Sequence, residues 1–372
     1  SRFSLGREVH TCFLGTSRDI TMTVTVKSLL YAEPDWYAQI GVTAIYAVWM
    51  AAFVPLAAKY IVLPFLEKHP MKEQWIELNH KMFKEGYGID YPRDLIFKMT
   101  SKMPTWIFNH FLGGVLTLAA VFWKITPLTA ALARHGALLE TGFEVSDIIP
   151  LYGKAFGCFG AEAKTESPLP MVILMTMHHV MALGLVLPMN MYFSEDYWYF
   201  SLVCTLQFVS AIAFGTQVYG YLIDITTKKG LMLMKFMVFV TVVTMWVGRG
   251  GLYVYCCVKI LGEMKGALFW TGIVATVFMG LLNLMMIMDS SMKAAKYLPM
   301  KLDPEALRLN KRRSQVILTE ALGTGSGPAG AGTSQSVRRI SQGAANNARR
   351  LSNSALGTKY DIKKLQEPLL AP

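Results

Sequence analysis

The sequence predicts an all-α polytopic membrane protein with about seven transmembrane helices and a disordered C-terminal tail. Of its 372 residues, 53% are hydrophobic and only 16% are charged, whereas roughly 25% of the residues in a soluble domain are charged. The hydrophobic residues also gather in runs of about 20, the length that a helix needs to cross the hydrocarbon core of a bilayer. Both observations argue against a water-soluble globular protein.

Six hydrophobic runs have the length and composition of membrane-spanning helices. They are residues 38–65, 105–123, 170–193, 197–223, 231–261 and 268–289. Several runs contain proline or glycine, including Pro55 and Gly113. Transmembrane helices tolerate both residue types when neighbouring helices satisfy the backbone groups that are left free. We therefore expect helices that pack against one another within the bilayer.

A seventh span follows from the distribution of positive charge. Seven lysine and arginine residues lie in the connection 67–104 and fourteen lie after residue 290, and connections rich in these residues usually face the cytosol. Both regions reach that side only if one more helix crosses before residue 170. The segment 141–162 is the better candidate, although its charged residues prevent it from facing lipid on all sides. The predicted topology has a lumenal N-terminus and a cytosolic C-terminus.

These spans divide the chain into a lumenal N-terminal segment (1–37), a transmembrane domain (38–295) and a basic cytosolic tail (303–372). The tail is predicted to be disordered because small and polar residues and arginine dominate much of it and no helical periodicity persists. The net charge is +11, but the basic residues do not form a face with interleaved aromatic side chains. We therefore predict no nucleic-acid partner.

Two short sequences in the tail are typical of kinase substrates. Arg-Arg-Ile-Ser at 338–341 and Arg-Arg-Leu-Ser at 349–352 predict phosphorylation of Ser341 and Ser352 by a kinase that recognises arginine. A simpler interpretation is a polybasic segment that binds anionic lipid head groups. The two interpretations are compatible, because each phosphate adds roughly −1.5 to −2 charges and would nearly cancel its arginine pair.

A pair of histidines, His178 and His179, lies within the apolar run 170–193. Ionisable groups inside membrane spans are rare and are functional candidates. Adjacent helical residues diverge by about 100°, so both imidazoles cannot face one small metal ion, and we predict no metal site. One imidazole can face a cavity while the other bonds to a neighbouring helix. The alternative is two packed, hydrogen-bonded structural histidines.

The order of motifs around these histidines resembles the TLC-domain family, whose members include the ceramide synthases and the translocating-chain-associated membrane protein. Gly142-Phe143-x-x-x-Asp147 precedes His178-His179 by about thirty residues, as in that family's pattern. Further similarities lie in the later spans, at Leu206-Gln207-Phe208-Val209-Ser210, Arg249 and Leu282-Asn283. The resemblance covers roughly residues 38–295. One departure is Gln207, which stands where the family usually has an acid.

The resemblance implies a helical barrel around a lipid-accessible cavity, in an endomembrane such as the endoplasmic reticulum. His178 or His179 would act as the base in acyl transfer to a lipid amine or hydroxyl, and Asp147 would hold its tautomer. Gln207, Arg249 and Asn283 would contact the lipid, and Arg249 or Asn283 could stabilise an oxyanion. No cofactor is implied, and acyl-CoA is a possible co-substrate.

The residues alone leave open whether the protein is an enzyme. Within the same fold, it could bind membrane lipids without chemistry, with Arg249 pairing a head-group phosphate. In a different class, it could be a structural accessory subunit of a larger membrane complex. In that case the N-terminal segment and the connection 67–104 would offer surfaces for protein partners.

Overall fold

A computed structural model describes residues 25–86, 88–160, 163–164 and 166–302 of the chain. These residues form helices and connecting turns, and no strand occurs among them. The predicted tail, with Ser341 and Ser352, lies outside the described residues, as does most of the predicted N-terminal segment. Disorder and phosphorylation of the tail therefore stay predictions.

Twelve α-helices follow one another along the described residues. In chain order they are α1 (Val26–Leu30), α2 (Trp36–Ala57), α3 (Leu63–Lys68), α4 (Lys72–Lys81), α5 (Arg93–Thr100), α6 (Met103–Phe122), α7 (Pro127–Ala155), α8 (Leu169–Tyr192), α9 (Tyr197–Gly220), α10 (Lys228–Thr244), α11 (Tyr253–Glu263) and α12 (Gly266–Tyr297). Three π-helical segments accompany them. Ala58–Val62 joins α2 to α3, Met82–Gly86 follows α4, and Met245–Leu252 joins α10 to α11.

Six helical stretches among the described residues are long and apolar enough to cross a membrane. They are Trp36–Lys68, Arg93–Phe122, Met171–Tyr192, Tyr197–Gly220, Lys228–Glu263 and Gly266–Tyr297. Each overlaps one of the six hydrophobic runs in the sequence. The prediction of an all-α chain with six apolar spanning helices is therefore confirmed for the part of the chain that the structure describes.

The described surface carries many large apolar side chains. Val48, Trp246 and Met285 are exposed, whereas Gln39 and Asn109 are fully enclosed between helices. Exposed apolar side chains suit contact with lipid tails, and enclosed polar groups suit hydrogen bonding between helices. The described bundle therefore has the surface expected of an integral membrane protein.

The segment predicted as a seventh span belongs to a longer helix with other boundaries. Helix α7 begins earlier, because Thr126 caps it through the backbone N–H of Thr129 and Pro127 occupies its first turn. It ends at Ala155 rather than near residue 162. Because α7 carries several charged side chains, it is not among the six apolar spanning helices. The described residues thus confirm six such helices and not seven.

Small residues bring α7 close to its neighbours. A Cβ atom at Gly142 would overlap Tyr46 on α2, and a Cβ atom at Gly136 would lie 2.5 Å from the carbonyl oxygen of Gly113 on α6. Close approach of this kind lets helix backbones pack tightly in a membrane. The charged face of α7 is therefore held in the interior of the bundle, next to α6 and α8.

Arg134 on α7 closes one end of the bundle through three backbone carbonyls. Its Nε donates to the oxygen of Ala32 at 2.7 Å, Nη2 to that of Tyr31 at 2.8 Å, and Nη1 to that of Ser194 at 2.8 Å. The first two carbonyls belong to the turn between α1 and α2, and the third to the connection between α8 and α9. One side chain thus joins three separate parts of the chain.

Candidate functional site

Three carboxylates lie on one face of α7. Glu140, Glu144 and Asp147 are separated by four and three residues, the spacing that places side chains on the same side of a helix. The Glu144 side chain is fully buried, Glu140 is largely buried and Asp147 is partly exposed. This face of α7 turns toward α6 and α8, each of which contributes histidine.

Both histidines of α8 reach the same carboxylate. His178 Nε2 lies 2.7 Å from Oε1 of Glu144, and His179 Nε2 lies 2.8 Å from Oε2. The rings diverge, with centroids 6.3 Å apart, so each takes one oxygen. Asp147, the carboxylate selected from the sequence, lies farther away, with its Oδ2 3.5 Å from His179 Nε2. Glu144 is therefore the principal partner of the pair.

The two imidazoles differ in accessibility. The side chain of His178 is 40% exposed, whereas that of His179 is 2% exposed. A histidine that contacts a buried carboxylate through one ring nitrogen and keeps the rest of the ring accessible can exchange a proton with a bound molecule. His178 is thus the reachable member of the pair, and His179 is enclosed by protein.

A second group of polar side chains continues from Glu140 toward α9. Asn109 Nδ2 donates to Oε2 of Glu140 at 3.1 Å, and His110 Nδ1 lies 3.1 Å from the same oxygen. His110 Nδ1 is also 3.0 Å from Oε1 of Gln207, and Gln207 Nε2 is 3.5 Å from Oε2 of Glu140. Gln207, predicted to contact lipid, is therefore connected to the carboxylate face of α7.

Arg249 lies on the π-helical segment Met245–Leu252, inside the bundle. Its Nη1 donates to Oδ1 of Asn283 at 2.8 Å, and Nη2 donates to the carbonyl oxygen of Leu206 at 3.0 Å and to the hydroxyl of Ser210. The segment comes close to α9 because a side chain at Gly248 would overlap Val209. Arg249 and Asn283, both selected from the sequence, are thus direct hydrogen-bond partners.

Two buried donors of this pair have no hydrogen-bond partner among the described residues. They are Nε of Arg249 and Nδ2 of Asn283. Buried donors without a partner are costly and can mark a place where a bound molecule supplies the acceptor. An oxygen atom of a ligand, such as a carbonyl or phosphate oxygen, has the matching chemistry.

One set of side chains could also hold a metal ion, although the sequence predicted no metal site. Glu140, Glu144 and His178 each offer a ligand atom, and these atoms all lie within 4.8 Å of one another. The rings of His178 and His179 diverge, as expected for adjacent residues of a helix, and they do not share one ion. The set instead combines one imidazole with two carboxylates that lie one helical turn apart.

The structure thus collects the predicted residues into two groups. Asp147, His178 and His179 lie around Glu144, and Arg249 lies with Asn283, while Gln207 contacts the carboxylate face through Glu140 and His110. Glu144 was not selected from the sequence, and its signal was its position three residues before Asp147 on the same helical face. No protein-family model matches the chain, and no curated protein or solved structure gives a significant match to it.

Proposed function

We propose that the protein binds a membrane lipid in the polar interior of its helical bundle and transfers an acyl group to that lipid, using His178 as the base. One observation carries the proposal: an accessible imidazole contacts a fully buried carboxylate at 2.7 Å. A carboxylate in this position orients an imidazole and stabilises the imidazolium that forms when the ring takes up a proton.

The reaction follows from that arrangement. Nε2 of His178 faces Glu144, so Nδ1 is the ring nitrogen that takes the proton from a lipid amine or hydroxyl. The nitrogen or oxygen attacks the carbonyl carbon of an acyl thioester such as acyl-CoA, and a C–N or C–O bond forms. The C–S bond then breaks, and the leaving thiolate takes the proton from Nδ1 of His178. His179 and Asp147 would restrain Glu144 from the other side, as positioning residues.

The unpartnered donors supply a place for the oxygen atoms of the lipid. Arg249 Nε and Asn283 Nδ2 would donate to a carbonyl, phosphate or developing oxyanion. Gln207 would add an amide near Glu140. These contacts would hold a lipid whether or not a reaction follows. They therefore equally favour a second candidate function, a lipid-binding protein that transfers no acyl group.

The resemblance to the TLC family and the position of α7 support a finer fold assignment. α7 packs against α2, α6 and α8, which favours a seventh crossing. The resemblance implies a helical barrel in an endomembrane, and the basic connections favour a cytosolic C-terminus. A glycosylation acceptor engineered at 194–196 should then be modified in microsomes, and one at 85–88 should not. Modification at both places would reduce the number of crossings to six.

The catalytic proposal is tested with purified protein in proteoliposomes that contain an acyl-CoA and a mixture of lipid amines and alcohols. Mass spectrometry would measure the acylated lipid. His178→Gln should reduce transfer by at least about 100-fold, because general-base catalysis contributes roughly that much. Glu144→Gln should reduce it similarly, whereas His80→Gln, which alters a histidine in the last turn of α4, should leave it unchanged.

A different outcome would favour binding without chemistry. If wild-type protein transfers no acyl group but retains a co-purified lipid that Arg249→Met loses, the second candidate function replaces the first. If transfer occurs and is equal in the wild type and in His178→Gln, the role of His178 is refuted. Native mass spectrometry of the same preparations would detect the retained lipid.

A further inference from the structure

We infer that Glu140, Glu144 and His178 form a binding site for one divalent transition-metal ion, with Zn²⁺ as the best match. Their ligand atoms lie within 4.8 Å of one another, and they come from two helices, α7 and α8. One imidazole with two carboxylates belongs to the ligand types that Zn²⁺ accepts in proteins. The fourth position of a tetrahedral ion would be open to water.

The geometry needs only small side-chain movements. Zn²⁺ binds histidine nitrogen and carboxylate oxygen at about 2.0–2.2 Å, so ligand atoms around a tetrahedral ion lie about 3.4 Å apart. Glu140 and Glu144 are one helical turn apart, and His178 approaches from the facing helix. Because the ligand atoms lie within 4.8 Å of one another, side-chain rotation would have to bring them closer on binding.

The state of Glu144 is an independent indication of a ligand. Its side chain is fully buried, yet neither carboxylate oxygen accepts a hydrogen bond of acceptable geometry from the described residues. The nitrogens of His178 and His179 lie 2.7 and 2.8 Å from these oxygens, at ion-pair distance. Buried carboxylates require strong compensation, and a dication between the oxygen and the imidazole supplies it.

Charge balance favours the same conclusion. Three carboxylates of α7 face three histidines, His110, His178 and His179. Buried carboxylates close together in a largely apolar bundle are costly unless cationic groups lie beside them. A divalent cation between Glu140 and Glu144 would offset the charge of both.

Neighbouring side chains already orient the proposed ligands. Asn109 and His110 hold Oε2 of Glu140, each at 3.1 Å, and His179 contacts Oε2 of Glu144. Such contacts fix the direction of a ligand's lone pairs and raise metal affinity. The side chain of His178 is 40% exposed, so this ligand can be reached from outside the bundle.

Metal binding would inhibit the acyl transfer proposed above. An ion on Nε2 of His178 replaces the contact with Glu144 that orients the imidazole, so the loaded protein should transfer more slowly. This consequence rests on the proposed function, whereas the binding site itself does not.

The test is equilibrium binding of Zn²⁺ to the purified full chain in nanodiscs after treatment with a chelator. Elemental analysis should find one high-affinity ion per chain. Glu140→Gln, Glu144→Gln and His178→Gln should each weaken that binding by at least about 100-fold, since loss of a contact behind a ligand already costs 10- to 100-fold. His80→Gln is the matched control, because His80 lies in the last turn of α4 and pairs with Asp90 at 2.7 Å rather than with any proposed ligand.

A second measurement avoids dependence on variants that fold poorly. X-ray absorption of wild-type protein loaded with one equivalent of Zn²⁺ should show only nitrogen and oxygen ligands. Sulfur ligation would overturn the inference, because it would place the ion on cysteine. Absence of stoichiometric binding, or equal binding by the three variants and the wild type, would also overturn it. Since none of these readouts uses acyl transfer, the site and the proposed function can fail separately.

Discussion

Replacing Arg249 by methionine should destabilise the bundle strongly. The guanidinium is buried and donates hydrogen bonds to Asn283, to the carbonyl oxygen of Leu206 and to the hydroxyl of Ser210. Methionine is apolar and of similar length, so it fills much of the space but restores none of these bonds. The three acceptors then lie buried without their donor.

The expected loss is about 3–4 kcal/mol. A hydrogen bond to a charged group contributes about 1.5–3 kcal/mol, which for three independent bonds would total about 4.5–9 kcal/mol. Removal of the charge offsets part of this loss, because the variant no longer pays the desolvation cost of a buried guanidinium. A change of 3–4 kcal/mol should lower the unfolding midpoint by several degrees, since 1 kcal/mol shifts the midpoint by roughly 2–4 °C in domains of about 150–250 residues and by less in longer chains.

A thiol-reactive dye provides the assay. Cys256 and Cys257 lie buried on α11, just after the segment that carries Arg249, and Cys158 is exposed. With Cys158 and Cys12 replaced by serine, the dye should label the chain only as the helices separate on heating in detergent. Cys204, which is also buried, reports on the same transition.

Two comparisons decide the outcome. Lys229→Met removes an exposed cation at the start of α10 and should leave the midpoint within about 1 °C of the wild type. Asn283→Leu combined with Arg249→Met should cost less than the sum of the single changes, because the partners are lost together. If Arg249→Met unfolds at the temperature of Lys229→Met, the hydrogen bonds of Arg249 do not stabilise the bundle and the reasoning is refuted.

The remaining predictions concern packing and pH. Gly142→Ala should lower the free energy of unfolding by about 1–3 kcal/mol, because the new methyl group overlaps Tyr46. Gly184→Ala on α8 places its methyl group in open space and should be neutral or stabilising. The unfolding midpoints of both variants are compared in the dye assay. Tyr91, whose hydroxyl donates to the carbonyl oxygen of Glu166 at 2.9 Å, has its pKa raised to about 12 by burial. Its pKa is higher in the folded chain than the usual 10, so this contribution, about 1 kcal/mol, should be complete below pH 10 and lost as the pH rises through 12. Melting of the wild type and Tyr91→Phe by circular dichroism should therefore differ at pH 8, and the advantage of the wild type should shrink as the pH rises from 10 to 12. A constant difference would contradict the assignment.

The sequence predicts the apolar helices well because each one follows from local composition. A run of about 20 apolar residues needs no knowledge of its neighbours to be recognised. Helix α7 is harder, because its charged residues make it look unlike a span. Their partners lie on other helices, as for Glu140 with Asn109 and Glu144 with His178. Its true start was nevertheless visible in the Thr126-Pro127 sequence, a common beginning of a helix.

The composition of the site depends on register between helices, which the sequence does not contain. The family pattern directed attention to Asp147, but the angle and height of α8 against α7 bring His178 and His179 to Glu144 instead. The two adjacent imidazoles do diverge, as the geometry of a single helix predicts. The ligands of the proposed metal site come from two helices, so the geometry of a single helix could not predict that they lie close together.

The contacts of Arg134 have a consequence for synthesis of the chain. Two of its acceptors, at residues 31 and 32, are made about 100 residues before it, and the third, at Ser194, is made 60 residues after it. The complete set of three contacts can therefore form only after the connection between α8 and α9 has been synthesised. A nascent chain that ends before Ser194 has only the first two of these acceptors, so one donor group of Arg134 has no partner among the three carbonyls.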